Sequence, residues 1–342
     1  MVGNFHRAVS ASPPVGVALA QELATTEWNV ITASSANGRI SRLADMLRAV
    51  YTHRHDYTLA QIDVFSGPAF LWAEATAQAL AWLRKPYVLT LHGGGLPQFA
   101  ARWPGRMRRL LTGAAAVTTP SAYLQEAMRG VRPDIVLLPN GLSLGAYRFR
   151  ARESPRPHLL WLRAFHHIYQ PTLAVEAAAL LVQDFPDLRL WMVGPDRRDG
   201  SYAATLAAAR ALRIDDRITF PGGVPKTDVP KWLDRADILV NTATIDNAPV
   251  TVIEALAAGL CVVSTAAGGI PHLVQDGRDA LLVPVGDAAA MAAAVRRILV
   301  DSGLARALSR NGRETACGFD WNVVLPRWEL LLRTVMRGTS HA

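Results

Sequence analysis

Two doubly wound α/β domains in succession are the architecture this sequence predicts, and three observations carry that expectation. Short β-branched runs alternate with longer Ala/Leu-rich stretches at helical spacing, and the alternation occurs twice along the chain. The strand candidates are continuously apolar rather than alternating, which marks parallel strands covered on both faces. With 342 residues, 50% hydrophobic and 19% charged, the chain has material for two packed cores.

The first series of strand candidates is 29–32, 62–65, 87–91, 115–119 and 135–138. The second is 159–162, 188–193, 218–220, 238–241, 261–264 and 281–283. Helical stretches lie between them, among them 69–83, 172–183, 202–212 and 288–299. Residues 1–5 are too short for a normal opening strand, so that edge of the sheet is expected to be reduced. The stretch 148–157 holds Pro155 and Pro157 without a clear period and reads as a linker. The expected domains are therefore 1–150 and 151–318, with 319–342 as a closing helix.

No apolar run reaches the roughly 18 residues of a membrane span; the stretch 173–182 is interrupted by Glu176. No basic segment followed by an apolar leader opens the chain. Cys261 and Cys317 are too few for a disulfide framework or a cysteine-rich zinc site, and a cytoplasmic setting is expected. Charge is uneven. Residues 1–150 carry 15 Lys/Arg against 8 Asp/Glu, whereas residues 151–342 carry 21 against 20. The first half should present a basic face that attracts phosphates, anionic lipid or nucleic acid. No nucleic-acid-binding module accompanies the charge.

In open parallel sheets ligands sit beyond the carboxyl ends of the strands. The unusual residues fall there. After the strand ending near Asn241, a polar loop with Asp246 and Asn247 leads through Pro249 into a helix starting near Val250 and Thr251, closed by Gly259. Such a helix start offers free N–H groups and a positive dipole end to an anion. Asp246 and Glu254 could face the same cleft, where a carboxylate accepts hydrogen bonds from the hydroxyls of a sugar diol. The bland alternative is a loop aspartate and a solvent-facing glutamate. Arg163 also follows a strand, and its planar donor fork suits phosphate oxygens. His92 follows the strongest strand of the first half and precedes Gly93, Gly94 and Gly95, which let a backbone approach a ligand.

The segment from Asp246 to Glu254 resembles the Glu-x7-Glu motif of glycosyltransferase family 4 (group 1 glycosyl transferases), enzymes of the GT-B fold with two Rossmann-like domains. Four other segments agree in order. Trp161-Leu162-Arg163-Ala164-Phe165 resembles the family's Val-Gly-Arg-Leu turn, and Val193-Gly194-Pro195 its Val-Gly-x-Gly-Pro segment. The run Val-x-Phe-x-Gly-x-Val is similar to 218–224, and Gly-Gly-Ile-Pro to 268–271. Pro139-Asn140-Gly141 resembles the family's turn into the hinge, and Asp320-Trp321 the start of its closing helix. The likeness covers roughly residues 85–335.

That resemblance implies a retaining hexosyltransferase that moves a sugar from a nucleotide-diphosphate donor to a glycan or lipid-linked acceptor, without metal or other cofactor. It implies roles for residues. Arg163 and the N–H groups near Val250 and Thr251 hold the diphosphate, Glu254 the ribose, and Asp246 with Asn247 the sugar. His92 and Gly94 lie near sugar and acceptor. The base lies near Gly194, Pro195, Gly223 and Val224. Residues 141–157 would be the hinge. It further implies a place in envelope or exopolysaccharide synthesis, in the cytoplasm or peripherally on the inner face of the membrane.

Three departures stand out. The first acidic position is Asp246, one methylene shorter than Glu. No lysine follows Arg163 within five residues; His166, His167 or, by preference, Lys226 could replace it, although a solvated lysine at a helix start explains Lys226 better. The family's Gly-Gly loop is reduced to Pro13-Pro14-Val15-Gly16. Two other readings stay open: a nucleotide-sugar epimerase on this architecture, and a non-catalytic sugar-nucleotide-binding subunit.

Absences narrow the field further. Gly141-Leu142-Ser143-Leu144-Gly145 matches a nucleophile elbow in letters, but no helix is expected after it. There is no Asp-x-Asp, no Gly-x4-Gly-Lys-Ser/Thr loop and no Cys-x2-Cys. His53 and His55 sit in a polar, basic stretch and read as solvated. The stretch 98–111 mixes four arginines with Phe99, Trp103, Met107 and Leu110, a composition suited to an anionic membrane interface; Pro104 and Gly105 would break it as a single helix.

Overall fold

The computed structural model describes residues 1–3, 15–34, 36 and 38–339. Among these the chain forms two compact units, one holding the residues up to Gly141 and those from Trp321, the other running from Leu142 to Asp320. The division falls at Gly141, ahead of the expected boundary near residue 150. The reduced loop at Pro13 and Pro14 lies outside the described residues.

The first unit runs α1 (Val15–Ala24), α2 (Arg39–Thr52), β1 (Ala60–Val64), α3 (Phe70–Trp82), β2 (Tyr87–Leu91), α4 (Leu96–Arg102), α5 (Pro104–Thr112), β3 (Ala116–Thr119), α6 (Ala122–Met128) and β4 (Val136–Leu137). Its strands pair in parallel in sequence order, with Val64 opposite Leu91 and Thr118 opposite Val136. All five residues of β2 are buried, as a continuously apolar central strand requires. The strand expected at 29–32 does not form. Ala33 makes a single parallel bridge to Val2, which also bridges Ile62. A β-branched run becomes a strand only against a partner long enough to satisfy its backbone. The stretch 98–111 is two helices, as Pro104 dictates: it has no N–H to give, and Trp103 between the helices has φ −132° and ψ 59°.

The second unit runs β5 (His158–Leu162), α7 (Pro171–Ala179), β6 (Arg189–Val193), α8 (Ser201–Ala211), β7 (Ile218–Gly222), α9 (Val229–Arg235), β8 (Ile238–Asn241), α10 (Val250–Ala258), β9 (Cys261–Thr265), α11 (Ile270–Leu273), β10 (Leu281–Val283), α12 (Ala288–Val300) and α13 (Ser302–Cys317). The six strands are all parallel and ordered β10-β9-β8-β5-β6-β7. Counted from β5 this is the Rossmann order, whose direction of winding reverses between β5 and β8. Separate apolar clusters cover the two faces, one built on Trp161, Met192 and Val295, the other on Leu160, Leu239 and Leu256. Burying each such side chain contributes about 1.5–3 kcal/mol. Helix ends follow local chemistry. Asp287 and Asp301 cap α12 and α13 by accepting from Ala290 N and Leu304 N, and Gly259 closes α10 at φ +79°.

The stretch read as a linker is instead bound into the second unit. Asp237, at the entrance to β8, accepts from Arg150 at 2.6 Å and from the backbone and Nε of Arg156 at 2.8 and 2.9 Å. Arg152 lies beside it, 1% exposed, and donates to the carbonyls of Ala258, Leu233 and Ala236. The last helix, α14 (Trp321–Thr339), groups with the first unit, where Trp328 and Leu332 pack in one cluster with Leu19, Leu23 and Val88.

Candidate active site

The topological switch point of the second unit gathers most of the residues that the sequence singled out. Arg163 leaves the end of β5, with its N–H bonded to Val193 O at 3.1 Å. Gly194 makes that closeness possible: a Cβ there would lie 1.7 Å from Arg163 O. Gly194 N donates to Gly222 O at 2.9 Å, and Gly223 packs on Pro195, with Val224 buried behind. The turns attributed to the base therefore form one wall beside Arg163.

The loop after β8 forms the facing wall. Gly269 N donates to Asp246 O at 2.6 Å, and a Cβ on Gly268 would come within 2.3 Å of that oxygen. The Gly268-Gly269 turn thus fixes the Asp246 backbone. The Asp246 carboxylate is paired with the Arg163 guanidinium, each side chain 14% exposed. Burial holds the Asp246 carboxyl above its ordinary value, against the opposing pull of Arg163. The guanidinium also lies 4.9 Å over the Tyr169 ring, which sets its plane. With five N–H donors, Arg163 has more than Asp246 engages.

Helix α10 begins at Val250, one residue after Pro249, as the sequence implied. Its first N–H groups, at Val250 and Thr251, have no acceptor within the helix. Thr251 lines a cavity of about 280 Å³ together with Arg163, His166, Tyr169, Gly194 and Arg197. Asn247 is buried beside the helix start. One cationic wall and one helix N-terminus line this cavity, an arrangement whose electrostatics suit an anion.

Glu254 departs from a simple reading. It is fully buried, and its Oε1 receives both the Tyr147 hydroxyl, at 2.8 Å, and the Lys226 ammonium. Its Oε2 is buried with no hydrogen-bond partner among the described residues. Lys226 is thus not a solvated lysine at a helix start; its side chain is 29% exposed, and burial pushes its ammonium down to about 8. His166 and His167 lean toward Asp199, with His167 Nδ1 3.0 Å from Asp199 Oδ2. These three residues bring ligand atoms within 4.8 Å of one another, a grouping that could hold a metal ion. However, His166 Nδ1 accepts from Ile168 N at 3.3 Å, which leaves the proton on the Nε2 that faces Asp199.

In the first unit, His92 Nε2 lies 3.1 Å from Asp63 Oδ1, and the two side chains are largely enclosed at the carboxyl ends of β1, which holds Asp63, and β2, which His92 follows. Gln61 donates to the same Asp63 oxygen at 2.8 Å and to Thr90 at 2.8 Å. Gly94 stands in the turn after His92, and a Cβ on its neighbour Gly93 would meet Ser66 N at 2.7 Å. Asp63 holds the imidazole in one orientation.

Sequence reasoning missed Tyr147, Asp63 and Asp199. Asp63 carried a signal, a carboxylate inside the otherwise apolar end of a strand. Tyr147 carried none, because only folding brings it across 107 residues to Glu254.

Comparison with known proteins matches the model described as "Glycosyl transferases group 1" over residues 148–315 and that of "Glycosyltransferase Family 4" over residues 11–145. A D-inositol 3-phosphate glycosyltransferase of Streptomyces avermitilis is 27% identical over 271 residues, 73% of this chain and 58% of that relative. The chain thus matches little more than half the length of that protein. Among solved structures, sucrose-phosphate synthase from Thermosynechococcus elongatus superposes with a TM-score of 0.77 at 21% identity, over 94% of this chain and 93% of that one. Anabaena HepE in complex with UDP-glucose gives 0.72 at 19% identity, over 90% and 85%. At these identities the structures establish the fold, which is that of GT-B glycosyltransferases.

Proposed function

Because the chain belongs to the group 1 glycosyl transferases of family 4, we propose that it moves a hexose from a nucleoside diphosphate to an acceptor hydroxyl, with retention and without a metal. The observation that carries this is the Arg163 guanidinium facing the N-terminus of α10 across one cavity, with the Glu254 carboxylate four residues into that helix. As the bond from sugar C1 to the diphosphate oxygen breaks, the leaving group takes the electron pair. Arg163 and the N–H groups of Val250 and Thr251 stabilise that charge from fixed positions. The acceptor oxygen forms the new bond to C1 and gives its proton to the departing diphosphate oxygen. Asp246 and Asn247 contact the sugar, and the turns at Gly194–Pro195 and Gly223–Val224 the base; in the first unit His92, held by Asp63, is the residue offered to the acceptor. The UDP-glucose bound to HepE supports a nucleotide-sugar donor of this kind.

Thermal unfolding with UDP, GDP, ADP and CMP, with and without EDTA, tests the reading. A ligand at about 100 times its dissociation constant adds about 2.7 kcal/mol, which raises the melting temperature by about 2–4 °C. The expected result is a shift by one nucleoside diphosphate that survives EDTA. No shift with any of them overturns the donor site; a shift abolished by EDTA overturns metal independence and turns attention to His166, His167 and Asp199.

The acceptor is a glycan or lipid-linked sugar of the cell envelope or an exopolysaccharide, met at an anionic membrane surface. Support comes from α4 and α5, where Arg102, Trp103, Arg108 and Arg109 are exposed while Met107, Leu110 and Leu111 are buried. No described helix is long and apolar enough to cross a membrane, so contact would be peripheral. Sedimentation with vesicles is the check. Binding to phosphatidylglycerol vesicles should exceed binding to phosphatidylcholine and fall when Arg102, Arg108 and Arg109 are changed to Gln. Equal sedimentation with both lipids removes the membrane from the reading.

A further inference from the structure

Tyr147 belongs to none of the motifs, yet the backbone places it with care. Leu142 N donates to Phe319 O at 2.7 Å, and Leu144 N to Asp320 Oδ2 at 3.1 Å. A single helical turn follows at 144–146, closed by Tyr147 N to Leu144 O at 3.2 Å. The ring then enters the cluster that holds Val252, Ile253 and Leu256 of α10. Burial pushes the phenol well above its ordinary value, so the hydroxyl keeps its proton and acts as a donor.

The consequence lies at Glu254. Two donors, Tyr147 and Lys226, occupy Oε1. Oε2 is buried and receives none among the described residues. A buried carboxylate oxygen without a donor is destabilising, so the arrangement favours a ligand whose hydroxyl, on entering, brings one. We infer that Tyr147 is a positioning residue for the donor's ribose: with Lys226 it fixes Glu254 through Oε1 and presents Oε2 to a ribose hydroxyl. Lys226 keeps further N–H donors beside the same carboxylate, so acceptor and donor stand side by side. A vicinal diol, whose hydroxyls both donate and accept, fits that pair. The assignment rests on the nucleoside-diphosphate reading above, and it makes discrimination of ribose from deoxyribose a property of Tyr147.

Calorimetric titration of the wild type and Tyr147→Phe decides the matter, with UDP, GDP and ADP each set beside its 2′-deoxy and 3′-deoxy forms. The wild type should prefer the ribonucleotide over at least one deoxy form by about 10- to 100-fold, the range of one hydrogen bond to a charged group. Tyr147→Phe should lower that ratio at least fivefold while leaving inorganic pyrophosphate binding unchanged. Lys226→Gln, which keeps a donor and removes the charge, should lower it as well. A Tyr147→Phe variant that loses affinity for ribo and deoxy forms alike, or loses only thermal stability, overturns the assignment. A wild type that binds none of the three nucleotides overturns the donor reading itself, a different outcome from an unchanged ratio.

Discussion

Arg163→Ala should weaken binding of the cognate nucleoside diphosphate about 10- to 150-fold, because a charge-assisted contact contributes about 1.5–3 kcal/mol. The structure adds a complication that the sequence does not show. Arg163 is the partner of Asp246, so its removal also strands a largely buried carboxylate beside the incoming diphosphate. The double variant Arg163→Ala/Asp246→Asn separates the two effects. If the guanidinium itself holds phosphate oxygens, the double variant stays at least 10-fold weaker than the wild type. Recovery of wild-type affinity in the double variant would falsify phosphate contact by Arg163 and leave it as a shield for Asp246. Asp246→Asn alone should lower turnover of the nucleotide sugar while keeping affinity for the plain diphosphate.

The second large effect concerns stability. Asp237→Asn is expected to destabilise the protein by about 3–5 kcal/mol, the cost of leaving a buried charge uncompensated. Arg152, as buried as Asp237, is the charge left behind. Burial alone would push the Asp237 carboxyl up; hydrogen bonds from Arg156 and Arg150 outweigh it and hold the group at about 2, against an ordinary value of 3.8. A carboxyl depressed on folding stabilises fully above its unfolded value and loses that contribution as pH falls through the folded one. The wild type should therefore lose stability from about pH 4 to pH 2, and Asp237→Asn should show a shallower loss in that window. Thermal unfolding reads both: a drop of about 4–7 °C at neutral pH is expected. A change under about 2 °C would show that water or the neighbouring carbonyls already neutralise Arg152.

Much of the site was legible in the sequence. The loop and helix from Asp246 to Glu254 and the Arg163 turn stand where strand–helix periodicity and turn chemistry place them, and the Gly194, Gly223 and Gly268 turns where the family resemblance put them. Those features are local: a glycine is needed wherever two backbones meet, and proline starts or breaks a helix within a few residues. Weaker expectations failed for a shared reason. The run 29–32 has strand composition but lacks a partner ladder, and the stretch 148–157 has linker composition but meets Asp237.

What the sequence by itself determined is the order of strands and helices, the family, and the side chains that line the switch point. Each depends on periodicity or on residues close together in the chain. Tertiary structure alone decided how the charges pair. Lys226 meets Glu254 rather than solvent, Tyr147 closes on the same oxygen, Arg163 takes Asp246, and Asp63 holds His92. These partners stand 28 to 107 residues apart. An ion pair forms at such separation only where packing brings both groups out of water together, and no local propensity encodes that meeting.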